Sequence, residues 1–315
     1  MRLIGLAVVL ALSLAPLLGE AQQTAKHPRV GYLTLAGTGS SLKEGLRELG
    51  YVEGRNVIVD VRSADGNPGK LHELAVDLVR AKVDVIVAGG PDVVDVLQKV
   101  TSTVPIVMIA MIDPVVSGFA ASLARPGGNI TGLTVHHPET IGKRLQLLKE
   151  ALPTLSRVGV IFPDAGSFMR SLEETAKALG VRLEILEVKE MAQLDNVLHA
   201  ARTQGAEALH ITETPMLFTN RARLVELATR RRLPAIGIFP ESAHAGLLMA
   251  YGTSLSALFK RSATHVDRIL KGAKPGEIPI ERPTKFDLVI NLKTAKALGL
   301  TIPESMLSRA DAIIQ

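Results

Sequence analysis

Cysteine and tryptophan are absent from this sequence, and its aromatic residues are limited to three Tyr and seven Phe. Without cysteine there is no disulfide framework and no acceptor for a lipid anchor at a processed N-terminus. An exported form of the chain is therefore stabilised by its core alone. The aromatic content of 3% works against a base-stacking surface, and the net charge of +5 does not restore one. Lys and Arg are scattered beside Asp and Glu, with Arg230-Arg231-Arg232 the one tight cluster. No nucleic-acid partner is expected. Enzymatic signatures are missing as well: neither a Gly-x-Ser-x-Gly nucleophile elbow nor a His-Glu-x-x-His metal motif occurs. His136-His137 with Glu139 is the single histidine cluster, His244 and His265 stand alone, and the three or four convergent ligands of a metal site are not supplied. The sequence thus predicts no catalytic residues, no metal and no cofactor.

What the sequence does contain begins with a leader. Arg2, the apolar run from Leu3 to Leu18, and the small residues of Gly19-Glu20-Ala21 predict a cleavable signal peptide over residues 1–21. A membrane anchor needs about 20 apolar residues, and this run is shorter and carries Pro16. The expected location is the periplasm. The rest of the 315 residues exceeds the usual size of one domain. With 47% hydrophobic against 21% charged residues, it falls among compact globular chains.

After the leader one α/β pattern is written twice. Arg29-Val30-Gly31-Tyr32-Leu33 opens the first copy and Arg157-Val158-Gly159-Val160-Ile161 the second. In the first copy 29–35, 56–61, 83–88, 105–110 and 130–135 read as strands, mostly apolar runs of the kind buried on both faces of a parallel sheet. Segments 41–49 and 70–80 carry helical spacing, as in Leu71, Leu74, Ala75, Leu78 and Val79. Helices alternating with buried strands give right-handed βαβ units. In the second copy the strands are 158–162, 182–188, 208–212, 235–239 and 247–251, with helices at 169–179, 194–203 and 220–231. Turn chemistry repeats too. Pro91 and Pro215 follow the third strands, at a first helical position where a missing N–H costs nothing, and Pro105 and Pro234 introduce the fourth. The predicted fold class is α/β, two doubly wound parallel-sheet lobes with a ligand cleft between them. Residues 27–132 with 253–279 are expected to form the N-terminal lobe, and 133–252 with 280–315 the C-terminal lobe.

Parallel α/β sheets bind ligands at the carboxyl ends of their strands, where helix N-termini present unpaired N–H groups. In the first copy this nominates Thr38 and Ser40, whose Gly-rich turn can cradle an anion although it lacks the Lys of a P-loop and the spacing of a dinucleotide fingerprint. Gly89 and Gly90 allow close backbone approach ahead of Pro91, and a ligand carboxylate suits them. Asp113, before Pro114, either contacts the ligand or caps a helix from Val115. In the second copy Asp164, Glu213 and Glu241 are the candidates for a ligand ammonium, against ordinary surface solvation. Tyr251 either walls the cleft or packs at the hinge.

Five segments then carry a family resemblance: GLRELGYVEG at 45–54, SLARPGGNITG at 122–132, LKGAKP at 270–275, PTKFDLVIN at 283–291 and AKALGL at 295–300. The chain resembles the ABC-transporter substrate-binding proteins of the tryptophan-binding-like group over nearly all of its mature length. The resemblance implies a type I periplasmic-binding-protein fold with a multi-strand hinge. It also implies capture of a small-molecule ligand for an ABC permease and its ATPase. It adds weight to Asp113-Pro114 and Tyr251-Gly252 as cleft residues and matches Glu241 to a frequent Glu of the group. Gly89-Gly90-Pro91 and Phe162-Pro163-Asp164 depart from the group's turns, which leaves an amino acid, another zwitterion or a carboxylate open as ligand. A monomeric receptor is expected. The competing readings are a sensory receptor for a histidine kinase or chemoreceptor, an exported α/β hydrolase, which would need a convergent nucleophile and base, and a sugar-sensing regulator, which would need a helix-turn-helix where the leader stands.

Overall fold

Short β-branched runs become central strands, and the leucine-spaced segments between them become helices that cover both sheet faces. The computed structural model describes residues 27–110, 113–135, 138–161 and 167–315. The leader, His136-His137 and Asp164 lie outside the described residues. The first unit comprises β1 (Arg29–Thr34), α1 (Ser40–Glu48), β2 (Ile58–Ser63), α2 (Leu71–Arg80), β3 (Val85–Gly89), α3 (Pro91–Val100), β4 (Ile106–Ala110) and β5 (Ile130–Thr134). Its strands stand in the order β2-β1-β3-β4-β5, all parallel.

The second unit runs through α4 (Pro138–Ala151), β6 (Arg157–Ile161), α5 (Ser167–Leu179), β7 (Arg182–Leu186), α6 (Leu194–Thr203) and β8 (Ala208–Ile211). It continues with α7 (Pro215–Thr219), α8 (Arg221–Arg230), β9 (Ala235–Gly237), α9 (Pro240–Ala245) and β10 (Met249–Gly252). The chain closes with α10 (Leu255–Leu270), β11 (Asp287–Asn291), α11 (Leu292–Leu298), α12 (Glu304–Leu307) and β12 (Ala312–Ile314). The second sheet has the order β12-β11-β10-β9-β8-β6-β7. The repeat is therefore topological: β1 lies between β2 and β3 as β6 lies between β7 and β8. The fold is that of a type I periplasmic binding protein, two α/β lobes built on largely parallel sheets.

One pairing departs from the all-parallel expectation and reverses two strands, β11 and the β12 that runs parallel to it. β11 pairs antiparallel with β10, Met249 opposite Ile290 and Gly252 opposite Asp287. The physical reason is the route of the chain. After β10 it leaves for the first unit, where α10 packs Leu258, Val266 and Ile269 into the cluster holding Leu42 and Leu46 of α1, and it returns without the crossover helix that a parallel neighbour needs. On the way back Glu281 pairs beside β5: its N–H donates to the Gly132 carbonyl at 2.9 Å, and its carbonyl accepts from Thr134 N–H at 2.9 Å. β5 itself continues through Thr134, and Ile278 and Ile280 are packed in the cores of the first sheet.

Candidate ligand cleft between the two sheets

The segments that follow β1 and β3 in the first sheet, and β8 and β9 in the second, converge on a cavity of about 400 Å³. Tyr32 forms the base of the first wall. It is 3% exposed, and burial pushes its phenol pKa up against a hydrogen bond with Thr34. The Gly-rich turns lie directly on this side chain. A Cβ at Gly39 would sit 2.9 Å from the Tyr32 ring, and one at Gly89 would sit 3.0 Å from Thr34 Oγ1 and 3.3 Å from the Tyr32 hydroxyl. Those two glycines are needed because the backbone passes where side chains would collide with the wall. Thr38, Ser40, Gly89 and Gly90 all line the cavity. Gly90 is also where the lobes meet, since its missing Cβ would be 3.6 Å from Pro215 Cγ of the second lobe.

Aromatic side chains build both sides. Tyr32 meets Phe259 edge-on at 5.5 Å, and Phe218 meets Phe239 edge-on at 5.1 Å. Phe239 is fully buried, whereas Phe218 and Phe259 are half-buried at the cavity surface. Arg221 opens α8 beside them. Its Nη1 donates to the Phe218 carbonyl at 3.0 Å, and its guanidinium carbon lies 4.8 Å from the Phe218 ring centre.

Glu241 also lines the cavity, with Oε1 of its carboxylate occupied and Oε2 buried without a partner. Oε1 accepts from Ser254 Oγ at 2.7 Å and from Ser256 N and Oγ at 3.1 Å each. Ser254 in turn caps α10 by accepting from Ala257 N at 3.2 Å. A second-lobe side chain therefore ties down the N-terminus of a helix packed on the first sheet. Replacing Glu241 with alanine is expected to lower stability by about 1–2 kcal/mol. Glu241→Gln, which keeps an acceptor, should lose less; equal losses in urea titrations would show that capping is not the role.

The remaining candidates are placed elsewhere. Glu213 is fully buried. Its Oε2 accepts from Ile238 N at 2.7 Å, and Gly237 leaves it room, because a Cβ there would overlap Oε1. Burial raises its pKa, opposed by the bond from Ile238 N and by the charge of Arg144. It is not among the residues lining the cavity. Arg144, 2% exposed, donates from Nη1 to Thr140 Oγ1 at 3.3 Å and to the Tyr251 carbonyl at 3.4 Å. Burial lowers its pKa to about 10, so it stays charged at neutral pH. Tyr251 packs against the core cluster of the second sheet, with its ring 6.0 Å from Phe286, and does not line the cavity. No helix starts at Val115; residues 114–118 form a turn. Asp113 Oδ1 caps that turn by accepting from Val115 N at 2.9 Å and Val116 N at 3.2 Å, outside the cavity lining.

Sequence reasoning did not single out Arg221, Phe218, Phe239, Tyr32 or Phe259. A signal was present. In a chain with three Tyr and seven Phe, the cavity lining takes Tyr32, Phe218, Phe239 and Phe259. Phe218 follows Pro215 at a strand end that the topological rule had already marked.

A two-lobed cavity of this kind invites comparison with known proteins. The model of the family described as "ABC transporter substrate binding protein" matches residues 32–314. The chain belongs to this family. Proteins of this family bind a substrate for a transporter rather than transform it. The chain is 24% identical over 261 residues to the tyrosine-binding protein of Clostridioides difficile strain R20291, covering 82% of this chain and 75% of that one. Among solved structures, a conserved domain protein from Vibrio cholerae superposes with TM-score 0.85 at 28% identity, covering 91% of this chain and 100% of the other. An ABC domain from Streptococcus pneumonia in complex with L-Trp superposes with TM-score 0.83 at 22% identity over the same shares.

Proposed function

We propose that this substrate-binding protein is the solute receptor of an ABC importer, capturing a small organic molecule between its lobes and delivering it to a membrane permease driven by an ATPase. The observation that carries the reading is the cavity whose walls come from the strand ends of both sheets and whose lobes touch at Gly90 and Pro215. A ligand contacting both walls favours the closed form, which a permease can distinguish from the open one. Thr38, Ser40, Gly89 and Gly90 supply hydroxyls and backbone to the ligand from the first lobe, and the second lobe supplies the wall around Glu241. In this reading residues 27–132 with 253–279 move as one lobe, and 133–252 with 280–315 as the other. The protein acts as a monomer in the periplasm after loss of residues 1–21. The tyrosine-binding relative and the L-Trp complex support a ligand of amino-acid size.

Binding to the native state alone stabilises it. A ligand at about one hundred times its Kd adds about 2.7 kcal/mol, equivalent to a rise in Tm of about 4 °C for a chain of this length. Differential scanning fluorimetry against amino acids, organic acids, sugars and nucleosides should therefore reveal a ligand. Absence of any shift, together with turnover of an ester or phosphate by the purified protein, would overturn the receptor reading.

A further inference from the structure

Among the described residues the cavity lining contains two charged side chains, Arg221 and Glu241, and the second is already tied to α10 through one of its oxygens. Glu241 Oε1 already accepts from both Ser254 and Ser256, and Oε2, although it has no hydrogen-bond partner, is shielded from solvent. The two other described carboxylates nominated for the ligand are outside the lining. Glu213 is fully buried on Ile238 N, and Asp113 caps the 114–118 turn. By contrast, no carboxylate pairs with Arg221 among the described residues. Its one hydrogen bond, from Nη1 to the Phe218 carbonyl, leaves its other N–H donors unused.

We infer that the cleft selects an organic monoanion with an aromatic or similarly apolar body, taking its carboxylate on Arg221 and requiring no ammonium group on the ligand. This rests on the cavity being the solute site. Three physical points carry it. A guanidinium is always protonated and presents a planar fork matched to a carboxylate, and its seat over the Phe218 ring holds it in place. Half-buried Phe218 and Phe259 give each lobe an apolar surface for the ligand body, each backed by a more deeply buried ring, Phe239 and Tyr32. Among the described residues, an ammonium carried into the same space would find the one lining carboxylate engaged at Oε1 and shielded at Oε2, with Arg221 as its neighbour, which is costly.

The test uses matched probes on the purified protein by isothermal titration calorimetry. One set is 3-phenylpropionate, L-phenylalanine and 2-phenylethylamine; the other is 3-indolepropionate, L-tryptophan and tryptamine. In at least one set the acid should bind as tightly as the amino acid or more tightly, and the amine should not bind. Arg221→Gln should weaken the acid by about tenfold or more, with Arg221→Lys recovering part of the loss. Unliganded Tm values that match the parent protein will show that both variants fold. An amino acid bound about tenfold tighter than its acid, or an affinity untouched by Arg221→Gln, overturns the inference. If no probe in either set binds but a sugar or nucleoside raises the Tm, the anion inference fails and the receptor reading stands. If no solute of any class raises the Tm, both fail.

Discussion

Replacing Gly132 with alanine is expected to destabilise the native state by about 3 kcal/mol, the sum of backbone strain and overpacking. Gly132 lies in β5 directly opposite Met108 of β4 and has φ 137, a region L side chains rarely occupy. Its Cβ would overlap the Met108 carbonyl oxygen and stand 2.5 Å from the Met108 nitrogen. Neither atom can retreat, because both belong to a paired strand. Gly54 supplies the control. It has φ 78 with nothing within 4 Å of an added Cβ, so Gly54→Ala isolates strain and should cost only about 1 kcal/mol. Equal losses in urea unfolding would show that β4 and β5 do not approach as closely as described. Function is involved as well, because Gly132 is where Glu281 of the returning chain pairs beside β5. The equivalent exit from the second sheet is also a glycine, Gly252, whose Cβ would overlap the Ile238 carbonyl oxygen. Two of the three crossings between the lobes thus start from strands, β5 and β10, that carry a glycine at a close backbone contact with no room for a side chain.

The doubled pattern was legible because buried parallel strands advertise themselves as apolar runs. Arg29 and Arg157 do open strands in equivalent places, and the Pro residues at 91 and 215 do start helices. The direction of β11 was not legible, since it depends on where the chain arrives and not on which residues it carries. β12 is three residues long and only partly buried, too short for a periodic signal. At the cleft, the strand-end rule places Thr38, Ser40, Gly89 and Gly90 where the cavity lining has them, because backbone position alone decides where they fall. It could not tell which way a carboxylate turns. Glu213 sits where the rule places a ligand contact, yet the space beside Gly237 and the N–H of Ile238 draw it into the core. Arg221 was concealed by a different effect. The segment 220–231 reads as an amphipathic helix, as α8 is, but that reading does not contain the short α7, whose C-cap at Asn220, φ −99 and ψ 23, sets the start of α8 at Arg221 beside the cavity.

Lowering the pH from 7 to 5 is expected to destabilise the protein by about 2 kcal/mol through His210 alone. His210 is fully buried in β8. Its Nε2 meets the Ile141 carbonyl at 3.2 Å, and its Nδ1 is sealed without a partner. Burial, and then the positive charge of Arg144, push its pKa from 6.5 down to about 3, against the pull of the Ile141 carbonyl. Between those two values the unfolded chain binds a proton that the native state refuses, so stability is full above the unfolded pKa and falls as the pH drops. The loss approaches about 1.4 kcal/mol for each pH unit below 6.5 and levels off near 3. Two other groups complicate a direct measurement. His265, whose pKa burial also lowers, adds in the same direction. Glu213 acts the other way, because a raised folded pKa makes the native state take up its proton first and gain stability as the pH falls towards 4.5. The decisive quantity is therefore a difference. His210→Gln keeps a hydrogen-bonding group opposite Ile141 and cannot titrate, so its stability should fall by about 2 kcal/mol less than the parent's between pH 7 and pH 5 in urea titrations. Parallel pH profiles for the two proteins would place the His210 proton in the native state and remove it as the source of acid sensitivity. The same comparison bears on the cleft, because a second cation beside Arg144 would act on the group that holds the Tyr251 carbonyl, one residue before β10 gives way to the path between the lobes.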